Sequence, residues 1–563
     1  MVFLENLFLS KGHYKGRMYE HFPKTYNIYV IAFTTFATGI MYGFDIASMS
    51  SQIRTPAYLE YFNYPSAFLQ GLITSSMAAG SFFGSLLSSS VSDAFGRRVS
   101  LHVCATLWII GSFLQCGAQN RAMLIVGRVI SGAGIGFGSS AATMYCSEIS
   151  PPKIRGLIGS IFHLCVTFGM VVLFYIGYAA HFVEGPASFR ITWGSQLIPG
   201  FLSFLVIFFL PESPRWLATH DRWDEAHTIV AKVNAKGDMN DRMVLLHMQE
   251  IEEQVANYHI AKNFGYLDLF RKASRRKTIV GISAQTWQQL SGMSIMMYYV
   301  VYLFEMAGFH GNTNLLSASI QYLLNFLTTF PAVFLVDKIG RRPILIYGGF
   351  LLAACSFSIA GLLGTYSVPT DGALRTGTSR LVDYGVSKAG PASGAIRITI
   401  PPEHANAARG VIACAYLFVC IFSPSWGTGA WLYCSEIFNN FERARGSALT
   451  SAVHWGLNFT FAMVIPTAFK NITWRTYIIF GVFDVSLAVH TFLAFPETKG
   501  KTLEEVEQMW QSKVPAWRSK SFKPVLPVLK SERRTSSDGD VSPIEEVAEG
   551  KKSSTDIESQ TRR

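Results

Sequence analysis

The sequence predicts an all-α integral membrane protein of twelve helical spans in two blocks of six. Three observations predict it. Of 563 residues, 50% are hydrophobic and only 15% charged, with a mean hydropathy of +0.27, whereas soluble domains run nearer a quarter charged. So little polar surface excludes a soluble enzyme, a nucleic-acid binder and a secreted disulfide scaffold. Apolar stretches of spanning length, roughly 20 residues, recur twelve times along the chain. The polar motifs between those stretches recur from one half to the other. The net charge of +11, from 48 Lys and Arg against 37 Asp and Glu, fits cytosolic loops that retain cations.

Residues 1–25 are polar and carry Lys11, Lys15, Arg17 and Lys24 without a cleavage signal. They are expected to be a cytosolic N-terminus, the first span serving as signal anchor. Spans at 26–46, 67–90, 99–118, 122–146, 156–179 and 193–210 form the first block, 26–210. Residues 211–280 are charged with helical patterning, which predicts a cytosolic helical linker. Spans at 281–304, 315–336, 343–364, 410–434, 446–469 and 474–495 form the second block, 281–496. The Ser-, Lys- and Glu-rich stretch 497–563 predicts a cytosolic, largely disordered tail. Short-loop cations, among them Arg97, Arg98, Lys153, Arg155, Lys338, Arg341, Arg342, Arg443 and Arg445, place both termini in the cytosol. The connection 365–409 is long and carries five cations on the predicted outer side. Long loops escape the charge rule, and this one reads either as a genuine insertion or as a gene-model error. All eight cysteines lie in apolar stretches without a CxxC pair, so helix contacts are expected of them, and neither a metal site nor a disulfide frame.

The halves repeat. "SDAFGRR" (92–98) after span two matches "VDKIGRR" (336–342) after span eight. "SEISPPKIRG" (147–156) matches "SEIFNNFERARG" (435–446), and "PESPRWL" (211–217) matches "PETKGKTLEEVE" (496–507). Three pairs at corresponding places indicate a duplicated transporter architecture. Asp93, Arg97, Glu148 and Arg155 in one half, with Asp337, Arg341, Glu436 and Arg443 in the other, are expected to lock an inward gate through salt bridges that part when the halves rock. In both halves the Glu-to-Arg spacing is seven residues.

At this point the chain resembles the sugar porter family of the major facilitator superfamily, in its fungal hexose/monosaccharide branch. The resemblance covers about residues 26–510 and rests on "GFD" (43–45), "GRVISGAGIGFG" (127–138), "PESPRWL", "QQLSG" (288–292), the two GRR loops and "PETKGKTLEEVE". It implies two six-helix bundles with a sugar site at the midplane between them and alternating access. A plasma-membrane protein acting as a monomer in the lipid bilayer is expected, with no cofactor.

A sugar offers hydroxyls that donate and accept, so its site needs neutral amides and aromatic faces in an apolar cavity. Gln288 and Gln289 in span seven point about 100° apart on a helix, so one can face the cavity while the other braces a neighbour. The resemblance implies sugar contacts from Gln288, Gln289, Asn325, Trp431 and Asn458; Trp455 lies near Asn458. Three departures affect which sugar binds. Ser294 stands where the family usually has Asn and offers fewer hydrogen bonds. His163 replaces a usual Gln and can still donate and accept. Gly427–Thr428 replaces Gly-Pro, which is expected to remove a helix break.

Asp45, near the predicted outer end of span one, and Arg128 in span four are costly at membrane depth unless paired or functional. The resemblance implies that they pair in proton-coupled members. Proximity of Arg128 favours the carboxylate and desolvation disfavours it, so movement alone drives proton uptake and release. Asp484 and Glu305 read as packing or interface residues. The Asn471 sequon sits in a loop too short to make a good glycosylation acceptor. The leading expectation is monosaccharide–proton symport, with a hexose as the substrate. The alternatives are a facilitative carrier of a hexose, pentose, polyol, disaccharide or quinate-like substrate, or a non-transporting sensor on the same fold. No nucleotide loop, metal cluster or nucleophile constellation supports an enzyme.

Overall fold

The computed structural model describes residues 22–150, 155–260, 265–272, 274–369, 396–439, 442–501, 503–512 and 514–522. Twelve helical spans run through it. Those of the first half are Ile28–Thr35 continued by Ala37–Gln52, then Ala67–Phe95, Arg97–Cys116, Arg121–Ile149, Arg155–Ala180, and Ala187–Gly194 continued by Leu197–Val206. Those of the second half are Arg275–Leu290 continued by Met293–Tyr298 and Val300–Met306, then Gly311–Ile339, Arg341–Tyr366, Ala405–Phe422 continued to Glu436, Arg443–Ile472 and Arg475–Ala494.

Among the described residues nine spans are individually long and apolar enough to cross a membrane. The other three, spans two, seven and eight, carry polar groups turned inward. Span two buries seven serines, and most satisfy their hydroxyls on a carbonyl one turn back. Its Gly80 and Gly84 leave no room for a Cβ against the backbone of span four, whose Gly132 and Gly136 answer in kind. Small residues let the two backbones touch where lipid supplies no hydrophobic drive. Gly71 likewise admits the backbone of Met463 in span eleven. Spans two and eleven, and spans five and eight, therefore join the halves.

Three boundaries differ from expectation. Span one runs on to Gln52, because Ser48 and Ser51 bond the carbonyls three residues back and Gln52 bonds Thr192. Asp45 therefore lies two turns inside the helix rather than near its end. Span ten keeps a break without proline at position 428: Ser423–Gly427 forms a π turn, a local widening that interrupts the regular ladder. The tail also begins ordered. Leu503–Gln511 is helical, with Val506, Met509 and Trp510 buried, because its apolar residues share one face; residues beyond 522 lie outside the description.

The linker forms helices Pro214–Thr219, Trp223–Ala235 and Arg242–Ile260 around a small core of Trp216, Leu217, Val230, Val244 and Ile251. In the connection after span nine, Val368–Pro369 pairs antiparallel with Ile398–Thr399, and Ile400 donates to Met306 at the end of span seven. Residues 370–395 lie outside the described chain. All eight cysteines are free.

Candidate functional site

Around the two GRR loops each half builds the same network. Gly96 (φ +94°) and Gly340 (φ +108°) turn the chain between spans in a conformation that favours glycine. The turn exposes the N–H of the next arginine. Arg97 N donates to Glu212 and Arg341 N to Glu497, each at 3.0 Å. The side chain of Arg97 grips Glu148 at 2.8 and 2.9 Å, and that of Arg341 grips Glu436 at 2.8 and 3.2 Å. Ser213 then donates to Glu148 at 2.5 Å and Thr498 to Glu436 at 2.6 Å. Asp93 lies 3.6 Å from Arg97. Burial pushes the Glu212 carboxyl above its ordinary range against the pull of Arg98. Arg443 lines a cleft with Ser147, Glu148, Arg215, His247 and Glu250, facing the first half. The side chains of Arg155 and Asp337 lie outside the described residues.

The interiors differ. In the first half Arg128 donates to Asp45 at 2.9 Å, both side chains fully buried. Arg128 also reaches the Thr74 carbonyl at 3.2 Å. Asp45 Oδ1 and Arg128 Nε and Nη1 have no hydrogen-bond partner. One contact thus holds a pair that could make several, so it is poised to separate.

In the second half the polar groups gathered around Gln288 and Gln289 are neutral. Gln289 Oε1 accepts from Ser294 at 3.0 Å and from Asn458 at 3.2 Å, while its Nε2 meets His454 at 3.0 Å. Ser294, although short, is thus fully engaged with the amides. Gln288 does the bracing: its Nε2 donates to the carbonyl of Trp426 at 2.9 Å, which the π turn turns toward span seven. Asn325 accepts from Ser423 and lies beside the sulfurs of Met170 and Met297. Trp431 packs on the His454 ring at 4.9 Å. His163, from the first half, abuts Gly427, where a Cβ would lie 2.9 Å from its Nε2. That Nε2, Gln288 Oε1 and Trp455 Nε1 are buried without a hydrogen-bond partner. Buried polar atoms are rarely left so.

Residues 25–510 match the family described as "Sugar (and other) transporter". The chain belongs to that family. It is 59% identical over 93% of its length, and 93% of the relative's, to the "High-affinity glucose transporter" of Kluyveromyces lactis. It is 47% identical, with the same coverage, to "High-affinity glucose transporter 1" of Candida albicans. The "High glucose sensor RGT2" of Saccharomyces cerevisiae is 28% identical, and the match spans 84% of this chain but 59% of the sensor. The fold is that of the proton:xylose symporter XylE bound to 6-bromo-6-deoxy-D-glucose, with TM-score 0.70 and 24% identity over 86% of this chain and 99% of that one. The protein is therefore a multi-pass membrane transporter of the major facilitator fold.

Several residues of this transporter escaped the sequence reading. His454 stands beside Trp455, and Gln285 stands one turn before Gln289; both were visible as neighbours of motif residues. Glu212 and Glu497 sat inside the repeated PES and PET motifs, and the repetition itself was the signal. Glu305, read as a packing or interface residue, pairs with Arg54, whose guanidinium lies 5.4 Å over the Tyr302 ring. Since Arg54 belongs to the first half and Glu305 to the second, the pair ties the halves at the end opposite the GRR loops. Asp484 accepts from Ser356 at 3.2 Å between spans nine and twelve, in keeping with a packing role.

Proposed function

We propose that this transporter imports a hexose, glucose first among candidates, in symport with a proton across the plasma membrane, acting as a monomer with both termini cytosolic. The observation that carries the proton half is the fully buried Asp45–Arg128 pair held by a single contact. The sugar half is supported by the neutral amide cluster and by high identity to relatives named for glucose.

External protonation of Asp45 neutralises it and frees Arg128. The released first half then closes on a sugar held by Gln288, Gln289, Asn325, Asn458, Ser294, His163 and Trp431. The Asp93–Arg97–Glu148 and Arg341–Glu436 networks, with Arg155, Asp337 and Arg443, part to open the cytosolic side. After sugar release, Arg128 returns to Asp45 and expels the proton. One proton moving down roughly 100 mV releases about 2.3 kcal/mol, enough to sustain a sugar gradient of roughly fortyfold. A sensor is disfavoured because the relatives named as glucose transporters are 59% and 47% identical to this chain and the sensor only 28%.

The test is uptake of a labelled hexose panel in yeast lacking hexose carriers, with medium alkalinisation recorded for wild type and Asp45→Asn. Sugar-evoked alkalinisation lost in Asp45→Asn is the expected result. Uptake without alkalinisation and indifferent to Asp45 would make the protein a facilitator. No uptake of any sugar despite surface expression would overturn the hexose reading.

A further inference from the structure

We propose that the stretch Tyr266–Arg276, leading into span seven, docks an anionic phospholipid on the membrane face nearest the GRR loops. The inference rests on the orientation proposed above, which makes that face the inner leaflet, where anionic headgroups attract juxtamembrane cations.

The stretch is fixed at one edge and open at the other. Tyr266 reaches the first half: its hydroxyl donates to the Leu86 carbonyl of span two at 3.0 Å and lies 2.8 Å from Ser89 Oγ. Leu269 is fully buried, and its carbonyl accepts from Thr278 in span seven at 2.9 Å. Between these anchors the 3₁₀ turn Leu267–Phe270 sends two apolar side chains outward, Leu267 86% and Phe270 46% exposed. Water is the unfavourable solvent for such side chains and a lipid surface the favourable one.

Depth agrees with that assignment. Ser89 stands six residues before the end of span two at Phe95, about 9 Å of helix. Its neighbour Leu87 is 58% exposed on the outer surface of the span. The turn hangs from Ser89 by the length of a tyrosine side chain. Leu267 and Phe270 therefore lie at the rim of the hydrocarbon, continuous with the apolar surface of span two.

Charge completes the site. Arg271, Lys272, Arg275 and Arg276 are all exposed. The one acid of the turn, Asp268, is engaged by Arg271 at 2.7 Å. Glu442 and Glu507, which approach the start of span seven, are both held by the buried Lys277 at 2.6 Å. Among the described residues Lys272, Arg275 and Arg276 thus have no carboxylate partner. Arg276 lies 5.5 Å over the Trp510 ring, a contact that steadies a cation without neutralising it. An apolar rim beside three uncompensated cations offers an anionic lipid a place for its chains and donors for its phosphate. Since Tyr266 holds span two and Arg275 opens span seven, the bound lipid would lie across the seam between the halves.

The experiment counts phosphatidylserine and phosphatidylcholine bound to the purified full-length transporter in mixed micelles by native mass spectrometry. Wild type should prefer phosphatidylserine. Each surface cation is worth about fivefold in affinity, so Lys272→Gln/Arg275→Gln/Arg276→Gln should weaken phosphatidylserine binding about a hundredfold and leave phosphatidylcholine binding unchanged. If that variant is not recovered folded, Lys272→Gln alone should show the single fivefold step. Leu267→Ser/Phe270→Ser should also weaken the lipid, through its chains. Arg518→Gln/Lys520→Gln, which removes exposed cations after the tail helix, should change binding less than about twofold. Equal affinity of wild type for the two lipids overturns the inference. So does an equal loss in the Arg518/Lys520 variant, which would make the preference a diffuse charge effect. Glycerophosphoserine bound as tightly as the whole lipid would replace the docked lipid by a soluble anion. A tag fused after Arg563 and stained in intact cells would instead overturn the orientation, and the inner-leaflet assignment with it.

Discussion

Around their GRR loops the two halves are nearly interchangeable; in their interiors they are not. Arg97, Glu148, Glu212 and Ser213 in one half correspond contact for contact to Arg341, Glu436, Glu497 and Thr498 in the other. Inside, the first half holds a buried ion pair and the second a set of neutral amides. The same backbone turn after spans two and eight creates the same unsatisfied N–H, so one chemical solution serves both ends. In the function proposed above, the interiors meet different cargo. A proton is exchanged by a group that can lose its charge, whereas a sugar is held by groups that never gain one.

The largest effect is expected from removing the counterion of Asp45. Arg128→Leu leaves a buried carboxylate unpaired, a change of about 3–5 kcal/mol for such pairs. It should abolish sugar accumulation and lower the melting temperature of the purified protein. Asp45→Asn/Arg128→Gln, which rebuilds the first half in the neutral chemistry of the second, should restore the melting temperature but not accumulation. Recovery of accumulation in that variant would break the contrast between the halves.

The next test sets the two GRR-loop networks against each other. The Glu148 side chain is 4% exposed and that of Glu436 23%, so solvent screens the second pair more. Glu148→Gln should shift the population toward the inward-facing state more than Glu436→Gln does. Inhibition by an impermeant sugar analogue in inside-out against right-side-out vesicles reads the shift, and equal effects would show the halves to be equivalent in energy as well as in contacts.

A smaller change is expected where the halves meet beside the amides. Gly427→Ala would press a Cβ onto His163 and should raise the glucose KM, by about tenfold at most for mild overpacking.

The smallest effect concerns Glu212. A buried carboxyl whose pKa is raised binds its proton more readily in the folded chain. Its contribution to stability is therefore full below the ordinary carboxylate range and is lost as pH rises through the raised value. Wild-type melting temperature should fall across that window as pH rises, and Glu212→Gln should flatten this part of the profile. An unchanged profile would remove Glu212 as its source.

Much of this was legible in the chain because apolar length and repeated loop motifs are local properties. The twelve spans, the Asp45 and Arg128 candidates and the GRR, SEI and PES/PET pairs needed only reading along the sequence. Misreadings arose where polar residues behave differently once packed. The "SMSSQ" stretch at 48–52 looks like the end of a span, yet its hydroxyls bond the helix's own carbonyls and carry it onward. Thr428 looked like the loss of a break, yet the π turn just before it supplies one. His454 was passed over because a histidine in an apolar run carries no signal until Gln285 and Gln289 are seen on either side of it.

The sequence by itself determined that this is a duplicated membrane transporter, since span length, cation placement and motif repetition follow from the bilayer's thickness and polarity. Only the tertiary structure decided which polar groups meet: that Glu305 answers Arg54 across the halves, that Gln288 braces span ten while Gln289 joins Ser294 and Asn458, and that His454 lies against Gln285 and Gln289. Those pairings join residues up to 251 positions apart. They depend on helix rotation and close backbone approach, which no local pattern specifies.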